Sequence, residues 1–206
     1  MCLSKGLNAI ARAIDDGQLP DKKLGFIPTA GEPYVDPYFV DESRAQLKSL
    51  GLKLVELDIS TASKTDIVNK INAVDGIYIA GGNVFYLSQQ IQIKGLDLFI
   101  KEKIKSGLAY FGESAGAVYL SRSIKPAKSI DDPLEAPLID GYDGLGLVDF
   151  FVLPHVDREK YKETFDNFYN SNKNNLKIVK LRDDQALLTK DGISYKILKS
   201  DSVIVS

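Results

Sequence analysis

Ser114 lies between two glycines in the segment Leu108-Ala-Tyr-Phe-Gly-Glu-Ser-Ala-Gly-Ala-Val-Tyr-Leu120, a spacing that suits a serine nucleophile. The four apolar residues before Gly112 are compatible with a buried strand, and the two glycines permit a tight turn into a helix. Such a strand–turn–helix exposes the serine hydroxyl at the top of a sheet, with the following backbone N–H groups beside it. The five-residue pattern occurs in many chains by chance, so its context has to support it.

His155 is the only histidine in the chain, and it follows an apolar run that ends at Pro154. A serine hydroxyl attacks poorly until a base removes its proton, and imidazole is suited to that task near neutral pH. The alternative interpretation is a histidine that is hydrogen-bonded at a strand end and has no catalytic role. Beside the Ser114 turn, the catalytic interpretation is favoured.

Gly81 and Gly82 precede Asn83 at the predicted start of a helix. Their backbone N–H groups carry no obstructing side chain, and with the Ala115 N–H they can form an oxyanion hole, each donor worth on the order of 3 kcal/mol in the transition state. There are two alternatives: a glycine turn required by tight packing, and a loop that binds phosphate. The phosphate loop is less favoured because the sequence has neither a full G-x-G-x-x-G nor a P-loop lysine pattern.

A third residue should orient the imidazole, and the sequence offers too many acids to choose among them. Most must be ordinary solvated loop carboxylates. The candidates around His155 are Asp131, Asp132, Glu135, Asp140, Asp143, Asp149, Glu159, Asp183 and Asp184.

Apolar runs alternate with segments of helical periodicity, which indicates a mostly parallel sheet covered on both faces. We expect one α/β domain over residues 1–206. In such sheets the site lies beyond the carboxyl ends of the strands, where the Gly81-Gly82 turn, Ser114 and His155 all fall. Strands are predicted at 24–28, 53–58, 76–80, 108–111 and 147–153, and helices at 3–16, from 37 to before 51, from 64 to about 74, 83–92, 96–106 and 157–170. Short strands follow from 176, with a hairpin turn at 190–192.

The composition is that of an ordinary globular protein of 206 residues, with 44% hydrophobic residues and a net charge of −2. No basic run suggests a nucleic-acid partner, no apolar stretch reaches the roughly 20 residues of a membrane span, and the start lacks a secretory pattern. Cys2 is the single cysteine, so an internal disulfide is excluded and a Cys/His metal site is not expected. A cytoplasmic protein without metal or cofactor is expected.

Several of these segments together resemble peptidase family S51, which includes dipeptidase E and cyanophycinase. Their order and spacing carry the resemblance over nearly the whole chain. The segments are Phe26-Ile-Pro-Thr-Ala30, Gly81-Gly-Asn-Val-Phe-Tyr-Leu87, Tyr110-Phe-Gly-Glu-Ser-Ala-Gly-Ala117, Leu153-Pro-His155 and Asp184-Gln-Ala-Leu-Leu188.

The resemblance implies a flavodoxin-like three-layer sandwich similar to class I glutamine amidotransferases. It also implies Ser114 as nucleophile, His155 as base, and Gly82 with Ala115 as oxyanion donors. By analogy with dipeptidase E, Asp132 is ranked first as the acid and Asp131 is nearly as good a match. By analogy with cyanophycinase, the match is Asp183.

Two departures from the family pattern bear on function. The first strand is short or missing, since only Met1-Cys-Leu-Ser4 precedes the predicted first helix. Glu113 stands where dipeptidase E has tryptophan, so we expect Glu113, with Asn83, to shape the substrate pocket.

The favoured hypothesis is a serine peptidase, acting as a monomer or homodimer on short peptides through an acyl-serine. Dipeptides with an acidic N-terminal residue are a candidate class, with Arg122, Lys125 and Arg158 as possible basic partners. One alternative is a catalytically inactive relative that binds a small molecule or peptide. The other, an α/β-hydrolase esterase, is disfavoured because 41 residues from Ser114 to His155 leave little room for that fold.

Overall fold

The computed structural model describes residues 1–5 and 8–199. Its strands are β1 (Cys2–Leu3), β2 (Lys23–Ile27), β3 (Lys53–Glu56), β4 (Gly76–Ile79), β5 (Ala109–Glu113), β6 (Phe151–Leu153), β7 (Ile178–Lys180), β8 (Gln185–Leu188) and β9 (Lys196–Lys199). Its α-helices are α1 (Asn8–Asp15), α2 (Tyr38–Ser49), α3 (Lys64–Asn72), α4 (Val84–Lys94), α5 (Asp97–Lys105), α6 (Ala115–Tyr119) and α7 (Lys162–Asn172).

Seven strands of the described chain form one sheet in the order β3-β2-β4-β5-β1-β8-β9. The first five run parallel, while β8 is antiparallel to β1 and β9 is antiparallel to β8. Strands β6 and β7 pair in parallel as a separate ribbon. Because β8 runs the other way, its amino end meets the carboxyl ends of the parallel strands at one edge of the sheet.

Each face of the sheet carries its own apolar core, because successive strand residues point to opposite faces. In β4, Ile77 and Ile79 belong to one cluster, whereas Tyr78 belongs to the other. Helices α1 and α2 cover the Tyr78 face, where Ile10 and Leu47 are fully buried. The remaining helices cover the other face. The result is the expected three-layer α/β sandwich with a mostly parallel sheet.

The interior strands and most helices lie close to their predicted positions. Ser63 caps α3 as its sequence suggests, since its side chain accepts the Asp66 N–H. Helix α2 begins one residue later than predicted, with Pro37 in the cap position and no side chain capping the helix. The apolar run 147–153 forms a strand only at its end, in β6.

The amino-terminal segment differs from the predicted helix over 3–16. Residues Cys2 and Leu3 form a two-residue strand beside β5, and the helix starts only at Asn8. The spacing of apolar residues predicted a helix that includes Leu3, but Leu3 is apolar because it is buried within the sheet. Leu7, which falls within the predicted helix, lies outside the described residues. No helix within the described residues is long and apolar enough to cross a membrane.

Candidate active site

Ser114 occupies a sharp turn between β5 and α6, with the backbone angles φ +47° and ψ −104°. A positive φ is strained for a residue with a side chain and often marks a functional position. The flanking glycines are needed because strand and helix nearly touch here. A Cβ on Gly112 would lie 2.5 Å from the Gly116 backbone, and a Cβ on Gly116 would lie 2.7 Å from the Ile79 carbonyl oxygen.

His155 follows β6 and also has a positive φ, +59°. Its Nε2 lies 3.0 Å from the Ser114 Oγ, within hydrogen-bond distance. The imidazole is largely buried, with 14% of the side chain exposed. Three non-glycine residues of the described chain have a positive φ. Two of them are Ser114 and His155, whose side chains are in contact.

Asp183 is the acid that contacts the other side of the imidazole. Its Oδ1 lies 2.5 Å from His155 Nδ1, and its Oδ2 accepts a 2.6 Å hydrogen bond from Arg158 Nε. Burial alone would raise the pKa of Asp183, but the hydrogen bonds from His155 and Arg158 hold it well below its usual range. An ionised carboxylate only accepts, so Nδ1 carries the proton and Nε2 is left to accept the Ser114 hydroxyl proton.

The β6–β7 ribbon explains why His155 and Asp183 meet. Leu153 pairs with Lys180 at the end of the ribbon, and the Leu181 N–H donates to the Leu153 carbonyl. The ladder continues with the Val156 N–H bonded to the Leu181 carbonyl. Because both strands run the same way, the residues just beyond their ends arrive side by side.

Ser4 joins this group from the carboxyl end of β1, and sequence reasoning missed it. Its fully buried hydroxyl accepts the His155 backbone N–H at 2.9 Å and donates to Asp183 Oδ1 at 3.0 Å. One serine thus fixes both the backbone of the histidine and the carboxylate that faces its ring. The signal was available in principle, since Ser4 directly follows a strand that ends at the same edge as β5.

Asp132, ranked first as the orienting acid, does not contact His155. It caps a short 3₁₀ helix, where its Oδ1 accepts the Leu134 N–H. Asp131 is also elsewhere, with its Oδ2 accepting the Val84 N–H at the start of α4. Of the three candidate acids, Asp183 is the one that contacts the imidazole, because the loop after Ser114 packs on α4 rather than on the ribbon that carries His155.

The Gly81-Gly82 turn lies against Ser114. A Cβ on Gly81 would be only 3.3 Å from the Ser114 Cβ. Gly82 has φ +143°, and a Cβ there would lie 2.0 Å from the Ala30 carbonyl oxygen, so only glycine fits. The turn, with Gly82 and Ala115 as predicted donors, borders the space in front of Ser114.

Asn83 was expected in the substrate pocket but is 3% exposed and serves the scaffold. Its Oδ1 caps α4 by accepting the Phe85 and Tyr86 N–H groups, and its Nδ2 donates to the Asp132 carbonyl. The side chain therefore ties the loop after Ser114 to the Gly81-Gly82 turn.

Glu113 lines the cavity beside Ser114 but is only 3% exposed. Its Oε2 accepts hydrogen bonds from the hydroxyls of Tyr78 at 2.7 Å and Ser43 at 2.8 Å. Burial raises the pKa of Glu113, and these hydroxyls, the Gly81 N–H and the nearby His155 oppose the rise. The side chain of Glu113, expected to shape the substrate pocket, is thus mostly bonded to protein groups behind Ser114.

A cavity of about 310 Å³ opens in front of Ser114, Gly82 and His155. Its wall carries aromatic and charged side chains of both signs. They are Tyr34, Tyr38, Phe39, Tyr161, Phe165, Lys5, Arg158, Lys160, Asp36, Glu113 and Asp131. Arg122 and Lys125, two expected basic partners, do not line it. A larger cavity of about 720 Å³ lies at the amino ends of β1 and β5, and neither Ser114 nor His155 borders it.

A comparison with known proteins identifies the family. The model of peptidase family S51 matches residues 5–197. The chain belongs to peptidase family S51. It is accordingly a peptidase, a hydrolase. Within the described residues, no group of three or more His, Cys, Asp or Glu side chains could hold a metal ion.

Curated relatives include peptidases from several bacteria. An uncharacterized peptidase of Listeria innocua is 36% identical and aligns with 85% of this chain and 84% of its own. One from Pasteurella multocida is 33% identical, over 84% of this chain and 83% of its own. Peptidase E of Shewanella putrefaciens is 37% identical, but over only 52% of this chain and 44% of its own.

Solved structures show the same architecture. The crystal structure of a Listeria monocytogenes protein provisionally named peptidase E superposes with a TM-score of 0.86 at 32% identity, covering 96% of each chain. A peptidase from an acI-B1 actinobacterium matches with a TM-score of 0.72 at 18% identity, which shows the fold alone.

Proposed function

We propose that this peptidase is a serine-type enzyme that hydrolyses short peptides through an acyl-serine intermediate. The observation that carries the proposal is the continuous contact from Ser114 Oγ through the His155 ring to Asp183. Nucleophile, base and orienting acid stand in the arrangement that serine hydrolases use on several unrelated folds.

The mechanism follows from the proton positions. His155 Nε2 takes the Ser114 hydroxyl proton while Oγ attacks the scissile carbonyl carbon. The negative oxygen of the tetrahedral intermediate faces the N–H groups of Gly82 and Ala115. The imidazolium, stabilised by the Asp183 carboxylate, then gives its proton to the leaving amine as the C–N bond breaks. Water repeats the sequence on the acyl-serine, releases the carboxylic acid and restores Ser114.

The cavity supports short substrates. Its volume of about 310 Å³ is at the lower end of the ~300–1000 Å³ typical of small-molecule sites. Lys5, Arg158 and Lys160 line it, and these cations suit a substrate carboxylate. That carboxylate can be the carboxyl terminus of a dipeptide or an acidic side chain on its first residue. The relatives named peptidase E support a peptide as the substrate.

The test combines active-site labelling with a panel of dipeptides. A fluorophosphonate probe is expected to label Ser114 in the wild type and to leave Ser114→Ala unlabelled. The panel contains Asp-Leu, Glu-Leu, Leu-Leu and Lys-Leu, and release of free amino acids is measured. Hydrolysis that disappears in Ser114→Ala supports the proposal. A protein that binds these peptides, resists the probe and releases nothing would instead be an inactive binding relative.

A further inference from the structure

We propose that the Asp131 carboxylate binds the free α-ammonium group of the substrate, so that the enzyme acts on the amino-terminal residue of a short peptide. The inference rests on the proposed function and assigns a recognition role to an acid that has no part in the contact chain from Ser114 to Asp183. It starts from the position of Asp131 in the wall of the cavity that holds Ser114.

Asp131 is fixed in place from two sides. Its backbone N–H donates to the Ala127 carbonyl at 2.8 Å, and its Oδ2 accepts the Val84 N–H at 2.9 Å. A carboxylate oxygen can accept more than one hydrogen bond, and the second oxygen is not needed for the tether to Val84. The side chain therefore has acceptor capacity left for a ligand in the cavity.

The charge of Asp131 has no cation to balance it among the ion pairs found within the described residues. Asp183, in contrast, is paired with Arg158. Burial raises the pKa of Asp131 to about 6, with only the Val84 N–H opposing it. Burial first, and the Asp131 charge second, also raise the pKa of the neighbouring Tyr34 to about 12, so its phenol stays neutral. An uncompensated carboxylate that borders a substrate cavity is complementary to a substrate cation.

The position of Asp131 relative to the scissile carbonyl indicates which cationic group of the substrate it binds. Val84, the tether of Asp131, lies two residues after Gly82, the proposed oxyanion donor. In an amino-terminal residue, the ammonium is bonded to the carbon next to the scissile carbonyl. When this carbonyl oxygen is bound at Gly82, we therefore expect the ammonium to lie beside the segment from Gly82 to Val84, to which Asp131 is bonded. An ammonium has three N–H donors and accepts nothing, which matches a carboxylate.

The other acids that line the cavity are less suited to this role. Glu113 is nearly fully buried, and its Oε2 is already bonded to Tyr78 and Ser43. Asp36 is exposed at the cavity mouth, where water screens its charge. Asp131 combines the cavity position, partial burial and missing counter-ion.

The test compares Asp-Leu amide with its N-acetylated form on the wild type, Asp131→Asn and Glu135→Gln. Asparagine keeps an acceptor for the Val84 N–H and removes only the charge, and circular dichroism verifies the fold. Glu135→Gln is the matched control, because it neutralises an exposed acid four residues further along the same loop. The wild type and this control are expected to favour the free amine in kcat/KM by at least about 10-fold, because a charge-assisted hydrogen bond is lost on acetylation.

Asp131→Asn is expected to lose this preference and to hydrolyse the acetylated peptide as the wild type does. If the wild type hydrolyses both peptides equally, or if Asp131→Asn keeps the preference, the ammonium site is overturned while the serine peptidase function stands. If the wild type hydrolyses neither peptide and Ser114 resists the fluorophosphonate, the proposed function fails and this inference fails with it.

Discussion

The Nδ1 atom of His155 lies 2.5 Å from Oδ1 of Asp183, a residue 28 positions further along the chain. The contact joins the ends of two neighbouring parallel strands, β6 and β7, on the same side as the Ser114 turn. It leaves Nε2 of the imidazole directed at the Ser114 hydroxyl, 3.0 Å away. The protonation state that a general base needs is thus set by a carboxylate outside the loop between Ser114 and His155.

Replacement of Asp183 by asparagine is expected to lower kcat by about 10³–10⁴-fold, because an amide no longer holds the Nδ1 proton and the imidazolium loses its counter-charge. Asp132→Asn removes a carboxylate that, among the described residues, is hydrogen-bonded to the Leu134 N–H alone, and its kcat is expected to stay within about twofold of the wild type. Steady-state kinetics on one cleaved dipeptide compare the two. The reverse ranking would show that the loop acid, rather than Asp183, serves His155.

The parallel part of the sheet could be predicted from the sequence because each strand and helix carries its own pattern. Ser114, His155 and Gly82 were found together because each follows a strand, and carboxyl ends meet at one edge. Asp183 could not be chosen in this way, although it also follows a strand, β7. That strand pairs with β6 in a ribbon separate from the main sheet, and this pairing depends on tertiary contacts that the sequence pattern does not carry.

Ser4 was missed for a related reason. A two-residue strand has too short a pattern to compete with the helical spacing that follows it. Only pairing with β5 and β8 makes Cys2 and Leu3 a strand, and this pairing brings Ser4 to His155. Glu113 was expected to contact substrate, but its engagement with Tyr78 and Ser43 depends on residues from β4 and α2 that are remote in sequence.

Ser4→Ala is expected to lower kcat by about 10-fold with little change in KM, because the His155 N–H loses its acceptor and Asp183 loses a donor. Substrate binding should persist, since Ser4 does not line the cavity. Ser123→Ala is the matched control: that hydroxyl also accepts an N–H and donates to an oxygen, but in the loop after α6. Equal losses of kcat in both variants would mean that Ser4 contributes only to stability.

The pH dependence of stability should reveal the ionisation of Glu113. Its Oε2 accepts hydrogen bonds from the hydroxyls of Tyr78 and Ser43, but burial outweighs these donors and raises the pKa of Glu113. Because the folded state then binds the proton more tightly than the unfolded state, Glu113 contributes stability fully below the unfolded pKa of about 4.3 and loses it as pH rises toward the folded pKa.

Glu113→Gln removes this titration. The free energy of unfolding of the wild type minus that of the variant is therefore expected to fall as pH rises above about 4 and to level off above the folded pKa. Urea denaturation at a series of pH values measures the difference. A constant offset contradicts the expectation even if the variant is less stable overall, because only the slope reports the carboxyl group.

The close approach of β5 and α6 predicts that Gly112→Ala damages both stability and activity. Its Cβ would meet the Gly116 backbone at 2.5 Å, and backbone cannot move aside as a side-chain end can. We expect a loss of about 3 kcal/mol in the free energy of unfolding and a large loss of kcat, because α6 must shift and carry Ser114 away from His155. In the control Gly25→Ala, the added Cβ meets the end of the Leu57 side chain, which can rotate. Gly25→Ala should lose about 1 kcal/mol in the free energy of unfolding and keep its kcat. If Gly112→Ala has the same kcat as Gly25→Ala, the close packing of this turn does not control catalysis.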